Sequence, residues 1–109
     1  MHYQMKLAQE PFEKIANGKK IIESRLYDEK RQQINVGDTI EFSQNDNTEK
    51  KVLKTVRSLY LYRNFEEMFS DFPAEYFGGE SKENLLEKIH QFYPPEKEIQ
   101  FGVVGIKLE

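Results

Sequence analysis

The residues best suited to chemistry stand close together, in the run from Lys19 to Arg25 (KKIIESR). The β-branched, alternating pattern predicts a strand over Lys19–Tyr27, so Glu23 and Arg25 share one face, about 7 Å apart. A carboxylate between ammonium and guanidinium groups can accept a hydrogen bond from a base amino group, while the cations bind phosphate or carbonyl oxygens. The spacing alone favours a simpler interpretation, an ion-paired strand surface without a ligand. The candidate ligand-binding residues are Lys19, Lys20, Glu23 and Arg25.

A second basic segment, between residues 50 and 63, contains interleaved tyrosines. Such cations neutralise phosphates while tyrosine rings stack on unpaired bases, which would extend a nucleic-acid-binding surface. The alternative is a solvated hairpin whose tyrosines pack against the protein. The candidate residues of this RNA track are Lys50, Lys51, Lys54, Arg57, Tyr60, Tyr62 and Arg63.

Other kinds of site find little support in the sequence. The chain has no cysteine, which excludes disulfides, thiolate metal sites and cysteine nucleophiles. Two histidines, His2 and His90, are too few for a His-rich metal site, and we expect neither a metal nor a cofactor. The Gly18-Lys19 pair lacks the first glycine and the following Ser or Thr of a phosphate-binding loop.

Charge is unevenly distributed along the 109 residues, whose net charge is −3. Residues 14–31 carry +3 and residues 50–63 carry +5, whereas residues 64–98 carry −6. A basic face is compatible with the acidic total, although such segregation alone is more typical of a solvated surface. The acidic stretch should repel a phosphate backbone. The length fits one domain over residues 1–109, and the lack of a long apolar run or signal peptide predicts a soluble, cytoplasmic protein without membrane contact.

The order of elements predicts an α+β fold, a small mixed β-barrel with short helices packed on one side. Met5 and Leu7 alternate with polar neighbours, as in a short opening strand. A short helix follows over residues 11–18, with Pro11 at its first position and Gly18 as a left-handed cap.

The second half of the chain predicts a hairpin, two helices and a final strand. The turn Asn45–Thr48 leads into an extended segment, Lys50–Tyr62, whose apolar phase changes near Arg57 and predicts a bulge or bend. The later elements are a helix capped by Asn64, a helix capped by Ser81 and stopped by Pro94-Pro95, and a closing strand over Phe101–Leu108.

Several separate segments of the chain fit one known sequence pattern. Gly18, Lys20, Glu23 and Arg25 have the spacing G-x-K-x-x-E-x-R, which resembles the signature of the ASCH domain family. The similarity continues in the expected order and covers nearly the whole chain. The further segments are Ile34–Phe42 with its Val36-Gly37-Asp38 turn, Tyr62–Phe69 at a helix start, Phe92–Pro94, and Phe101–Ile106.

The resemblance implies a PUA-like β-barrel that binds RNA, a nucleotide or a nucleoside in a cleft between the barrel and the first helix. Lys20, Glu23 and Arg25 are expected to gather in this cleft. Lys20 would then contact phosphate or carbonyl oxygens and Glu23 a base amino group, while Arg25 would bind the ligand or orient Glu23.

A second activity is also implied by the resemblance. Some bacterial members are amidohydrolases that deacetylate acetylated cytidine nucleosides with a lysine, a threonine and a glutamate. By position, the lysine is Lys20, the threonine position holds Glu23, and the nearest glutamate is Glu80. Because Glu23 has no hydroxyl, a hydrolase here would need a changed mechanism, with Glu23 as a general base on water. A protein-interaction module built on the acidic helices is the third alternative.

Overall fold

The computed structural model describes residues Met1–Glu109 and contains five strands and four α-helices. The strands are β1 (His2–Leu7), β2 (Ile22–Leu26), β3 (Thr39–Gln44), β4 (Asn47–Tyr62) and β5 (Val103–Leu108). The helices are α1 (Gln9–Ala16), α2 (Phe65–Asp71), α3 (Lys82–Ile89) and α4 (Pro95–Phe101), with 3₁₀ turns at Arg31–Gln33 and Ala74–Phe77. None of the helices is long and apolar enough to cross a membrane.

The strands form one mixed sheet in the order β1-β3-β4-β5-β2. β1 and β3 are parallel, and the other neighbouring strands are antiparallel. β1 and β2 are the two edges, so the barrel is open between them. The predicted α+β architecture, a small mixed barrel with short helices, is confirmed.

Both faces of the sheet are covered, because its strands send alternate side chains into two hydrophobic cores. In β5, Val104 and Ile106 point into the first core, whereas Val103 points into the second. α1 contributes Phe12 and Ile15 to the first core, and α2 and α3 cover the second. Side chains along β2 alternate in the same way, so neighbouring residues of this strand face different cores.

The long strand β4 changes faces at a bulge. Its pairing with β5 shifts between Val56 and Ser58, so Val56 lies in the first core while Tyr60 packs against the second. The predicted bend near Arg57 is confirmed, and it allows one strand to serve both cores.

Several predicted boundaries are wrong. β4 begins at Asn47, inside the predicted turn Asn45–Thr48. α1 begins at Gln9 rather than Pro11, which is tolerated because Pro11 still lies in the first turn, where N–H groups have no intrahelical acceptor. The pair Pro94-Pro95 opens a further helix, α4, because proline is also well suited to a first helical position. As a result, the closing strand begins at Val103, after α4 has ended.

Candidate functional site

β2 places Glu23 and Arg25 on the face of the sheet that carries the first core. In the register with β5, Glu23 lies opposite Ile106 and Arg25 opposite Val104, both first-core residues. Arg25 Nε and Nη2 lie 2.9 and 2.8 Å from Glu23 Oε2. The predicted common face of the two side chains is confirmed, and they form a direct ion pair.

Lys20 also contacts Glu23, although it lies before the strand. β2 is shorter than predicted and begins at Ile22. Lys20 Nζ lies 2.7 Å from Glu23 Oε1. The side chains of Lys20, Glu23 and Arg25 are 12%, 4% and 15% exposed, so the carboxylate is almost completely enclosed by its two cations and the protein. These three side chains are called the motif cluster below.

Two neighbouring elements hold the backbone around Lys20. Gly18 has a φ of +82°, the left-handed conformation that closes α1 and turns the chain towards β2. The Ile21 N–H donates to Tyr76 O at 2.9 Å, which ties the start of β2 to the second 3₁₀ turn. A Cβ atom at Gly78 would lie 3.2 Å from Lys20 Cβ, so the glycine lets this segment pack directly on the lysine.

Opposing effects determine the charge of the motif cluster. Burial alone would raise the pKa of Glu23, but Coulomb attraction to Lys20 and Arg25 and the hydrogen bonds from both lower it to about 2. Burial opposes the charge of Arg25, but the neighbouring Glu23 and the Tyr93 phenol raise its pKa. One ionised carboxylate between two cations leaves the cluster with a net positive charge.

The arrangement is better equipped to bind an anion than to remove a proton. Lysine has three N–H donors and arginine five, and Glu23 accepts one contact from Lys20 and two from Arg25. The remaining donors suit phosphate or carbonyl oxygens. A carboxylate with a pKa of about 2 is a weak general base at neutral pH.

Comparison with known protein families identifies the family of this chain. The family model described as the ASCH domain matches residues 5–109. The chain belongs to the ASCH domain family. ASCH domains are generally RNA-binding domains of the PUA-like type, and the open mixed barrel described above has the corresponding architecture.

Two solved structures resemble this ASCH domain along its whole length. The crystal structure of hypothetical protein PH0355 has 40% sequence identity and a TM-score of 0.87, covering 100% of this chain and 98% of that chain. The solution NMR structure of protein PF0455 from Pyrococcus furiosus has 38% identity and a TM-score of 0.77, covering 100% and 96%. No protein with curated annotation matches the chain.

Lys19 and Glu80, the other two predicted site residues near the ASCH motif, are exposed. The Lys19 N–H donates to Asn17 Oδ1 at 3.0 Å, in the turn that closes α1. The Glu80 N–H donates to Asn84 Oδ1 at 3.3 Å, just before α3, and the Glu80 carboxylate forms no ion pair with a basic side chain. The catalytic role of Glu80 stays a prediction.

β4 distributes the basic residues of the predicted RNA track over both faces of the ASCH sheet. Lys51 and Lys54 lie three residues apart in a part of β4 that pairs with β3 without a bulge. Because side chains alternate along a strand, these two point to opposite faces. Lys50 is exposed near the hairpin turn. The two arginines are paired with acidic residues, Arg57 with Glu109 at 3.7 Å and Arg63 with Glu67 at 2.7 Å.

The two tyrosines of the track are engaged within the protein. The rings of Tyr60 and Phe72 have centroids 4.9 Å apart. The Tyr62 hydroxyl donates to Asp71 Oδ2 at 2.7 Å, and this hydrogen bond, with burial and the Asp71 charge, raises the pKa of Tyr62 to about 12. These contacts support the alternative in which the tyrosines pack against the protein.

A basic cleft that was not predicted from the sequence adjoins the motif cluster. Arg25 lines it together with Lys6, Lys30, Arg31 and Lys51, and we call this group the basic cleft. The residues come from separate segments that only the sheet brings together. Arg25 belongs to the signature and Lys51 to the predicted RNA track, but no motif includes Lys6, Lys30 or Arg31. The excess positive charge of residues 14–31 is the one sequence signal that includes several of them.

A buried polar contact beside the second core was also missed. Glu98 is 6% exposed, and its Oε1 accepts a hydrogen bond from the Phe65 N–H at 2.8 Å. Glu98 Oε2 lies 3.0 Å from His90 Nε2. Glu98 thus joins α4 to the first turn of α2, and no sequence signal indicated it because α4 itself was not predicted.

Proposed function

We propose that residues 1–109 form a single cytoplasmic ASCH domain that binds RNA, or a nucleotide or nucleoside, through Lys20, Glu23 and Arg25. The observation that carries this proposal is the enclosed Glu23 carboxylate, which contacts both cations at 2.7–2.9 Å. A carboxylate held in this way orients two cationic groups before any ligand arrives. Such preorganisation reduces the entropy lost on binding.

The roles of the three side chains follow from their contacts. Lys20 and Arg25 keep N–H donors for phosphate or carbonyl oxygens of the ligand, and Glu23 holds both cations in position. Glu23 has both oxygens engaged, so a base amino group would share an oxygen with the existing donors. Arg25 also lines the basic cleft, which gives the ligand a route to the motif cluster.

The deacetylase alternative, with Lys20, Glu23 and Glu80 as catalytic residues, receives less support. A general base works best with a pKa near the operating pH, and the pKa of Glu23 is about 2. Glu80 is exposed, and its carboxylate is not paired with Lys20.

The test compares the parent with Lys20→Ala and Arg25→Ala in binding to short single-stranded RNAs, nucleotides, and plain and acetylated cytidine. Lys97→Ala is the control, because it removes one charge from an exposed lysine of α4. We expect both motif variants to bind about tenfold or more weakly, and the control to bind as the parent does. Equal affinity in the parent and in folded motif variants would refute the site.

The same preparations distinguish the two functions. Release of acetate from acetylated cytidine by the parent, lost in a Glu23→Gln variant shown to be folded, would establish the hydrolase instead. RNA binding that weakens with added salt, without acetate release, is the result expected for the binding domain.

A further inference from the structure

The basic cleft lies at the β1 edge of the sheet, where β1, β3 and the first part of β4 meet the segment around Lys30. It has a volume of about 630 Å³, and Met5 is the one hydrophobic residue in its lining. This volume falls within the range of small-molecule sites. The size and the polar lining suit a charged group the size of a nucleotide rather than an apolar molecule.

Positive charge dominates the lining of the cleft. Glu41 is its one acidic residue, and Glu41 Oε1 lies 3.8 Å from Lys51 Nζ. Arg25 pairs with Glu23 and Arg31 pairs with Asp28. Neither of these two acidic residues lines the cleft. Lys6 and Lys30 form no ion pair, so two positive charges stay uncompensated in a chain with a net charge of −3. The basic residues of the lining are Lys6, Arg25, Lys30, Arg31 and Lys51.

Arg31 provides a second, independent observation. Its Nη1 lies 2.8 Å from Asp28 Oδ2, but its buried Nε has no hydrogen-bond partner in the protein. A buried donor without an acceptor is costly, so such a group calls for an explanation. Ser43 and Thr48 add hydroxyl groups to the same lining. The cations, including the partly exposed Arg31 side chain, and the hydroxyl groups together match the oxygen atoms of a phosphate.

We infer that the basic cleft binds a phosphate group, with Lys6 and Lys30 as its main cations and Arg31 as a hydrogen-bond donor. The inference rests on the proposed function, because Arg25 belongs to both places. Its guanidinium binds Glu23, and its side chain also lines the cleft. A single ligand therefore contacts the motif cluster and the cleft together. The phosphate is an internal phosphodiester of RNA or the terminal phosphate of a nucleotide.

The test uses the double variant Lys6→Gln with Lys30→Gln, which removes both uncompensated charges and retains most of the side-chain length. The matched control is Lys88→Gln with Lys97→Gln, which removes the same charge from exposed lysines outside the cleft. Binding of a single-stranded RNA with a 5′-hydroxyl end is measured over a range of salt concentrations. A nucleoside monophosphate and its nucleoside form the second arm, and thermal unfolding checks that all variants are folded.

We expect the cleft variant to bind at least about tenfold more weakly and the control to match the parent. Each phosphate contact on a single strand contributes about 0.7 to the slope of log K against log salt, so losing the one phosphate contact of the cleft should reduce the slope by about 0.7. Weaker binding of RNA, with the monophosphate unaffected, identifies a phosphodiester. Weaker binding of the monophosphate but not of its nucleoside identifies a terminal phosphate.

The outcomes separate this inference from the proposed function. If Lys20→Ala weakens binding while the cleft variant matches the parent, the inference is overturned and the proposed function stands. If the parent binds no RNA, nucleotide or nucleoside, the proposed function fails, and pyrophosphate then tests the cleft alone. Pyrophosphate should shift the amide NMR signals of Arg31, Ser43 and Thr48 in the parent but not in the cleft variant. No such shift would overturn the inference.

Discussion

Glu23 and Arg25 stand two residues apart on β2, and Arg25 Nε lies 2.9 Å from Glu23 Oε2. Strand alternation brings them together, since residues i and i+2 share a face. The contact joins a Glu23 side chain that is 4% exposed to an Arg25 side chain that is 15% exposed, with Lys20 on the other carboxylate oxygen. Removing the one negative charge would leave two cations facing each other in a largely buried space.

Glu23→Gln should therefore destabilise the protein although it changes few atoms. Breaking a buried ion pair by removing one partner typically costs about 3 kcal/mol or more. The free energy of unfolding, measured by urea denaturation at pH 7, should fall by about this amount. Glu29→Gln, at an exposed position, is the control. A loss below about 1 kcal/mol in Glu23→Gln would contradict the buried ion-pair arrangement.

The pH dependence of stability should report the same carboxylate. The pKa of Glu23 is lowered from its ordinary value of 4.5 to about 2, so its contribution is fully present above pH 4.5 and is lost as the pH falls towards 2. The stability difference between the parent and Glu23→Gln should thus shrink over this window by on the order of 3 kcal/mol. Urea denaturation at several pH values from 7 to 2 measures it. A difference that stays constant would show that Glu23 titrates normally.

Gly78 should matter for the motif cluster because its segment packs on Lys20. Gly78→Ala places a Cβ 3.2 Å from Lys20 Cβ and Cδ and also forces alanine to a φ of +79°. Gly18→Ala is a close control, since it has a φ of +82° with no atom within 4 Å of the added Cβ. Both variants should lose about 1 kcal/mol of stability for the left-handed conformation. Gly78→Ala alone should also weaken RNA or nucleotide binding, and equal binding by the two variants would remove Gly78 from the site.

Glu98 should stabilise the contact between α4 and α2. Glu98→Ala leaves the buried Phe65 N–H without its acceptor, which should cost about 2 kcal/mol. Glu98→Gln keeps a carbonyl oxygen for this N–H and should lose less than half as much. Thermal and urea denaturation measure both variants. Equal losses would mean that the charge of Glu98, or its contact with His90, matters more than the Phe65 hydrogen bond.

Features that depend on a few neighbouring residues were predictable from the sequence. The shared face of Glu23 and Arg25 follows from strand alternation, and the turn at Gly18 follows from its tolerance of positive φ. Asn64 caps α2 as its sequence indicates, with its Oδ1 accepting from the Glu67 N–H at 2.8 Å. The ambiguous signal was Pro94-Pro95, since proline can either end one helix or begin the next.

Long-range features emerged only when the chain was folded. The second 3₁₀ turn and Gly78 pack against the Lys20 segment, and the low pKa of Glu23 depends on burial as well as on its two cations. Lys6 and Lys51 line one cleft because the order β1-β3-β4 makes their strands close neighbours. Strand order, burial and the sum of nearby charges depend on residues far apart in the chain. Local propensity carries no information about these long-range properties. The motif was therefore predictable from the sequence, and the cleft beside it was not.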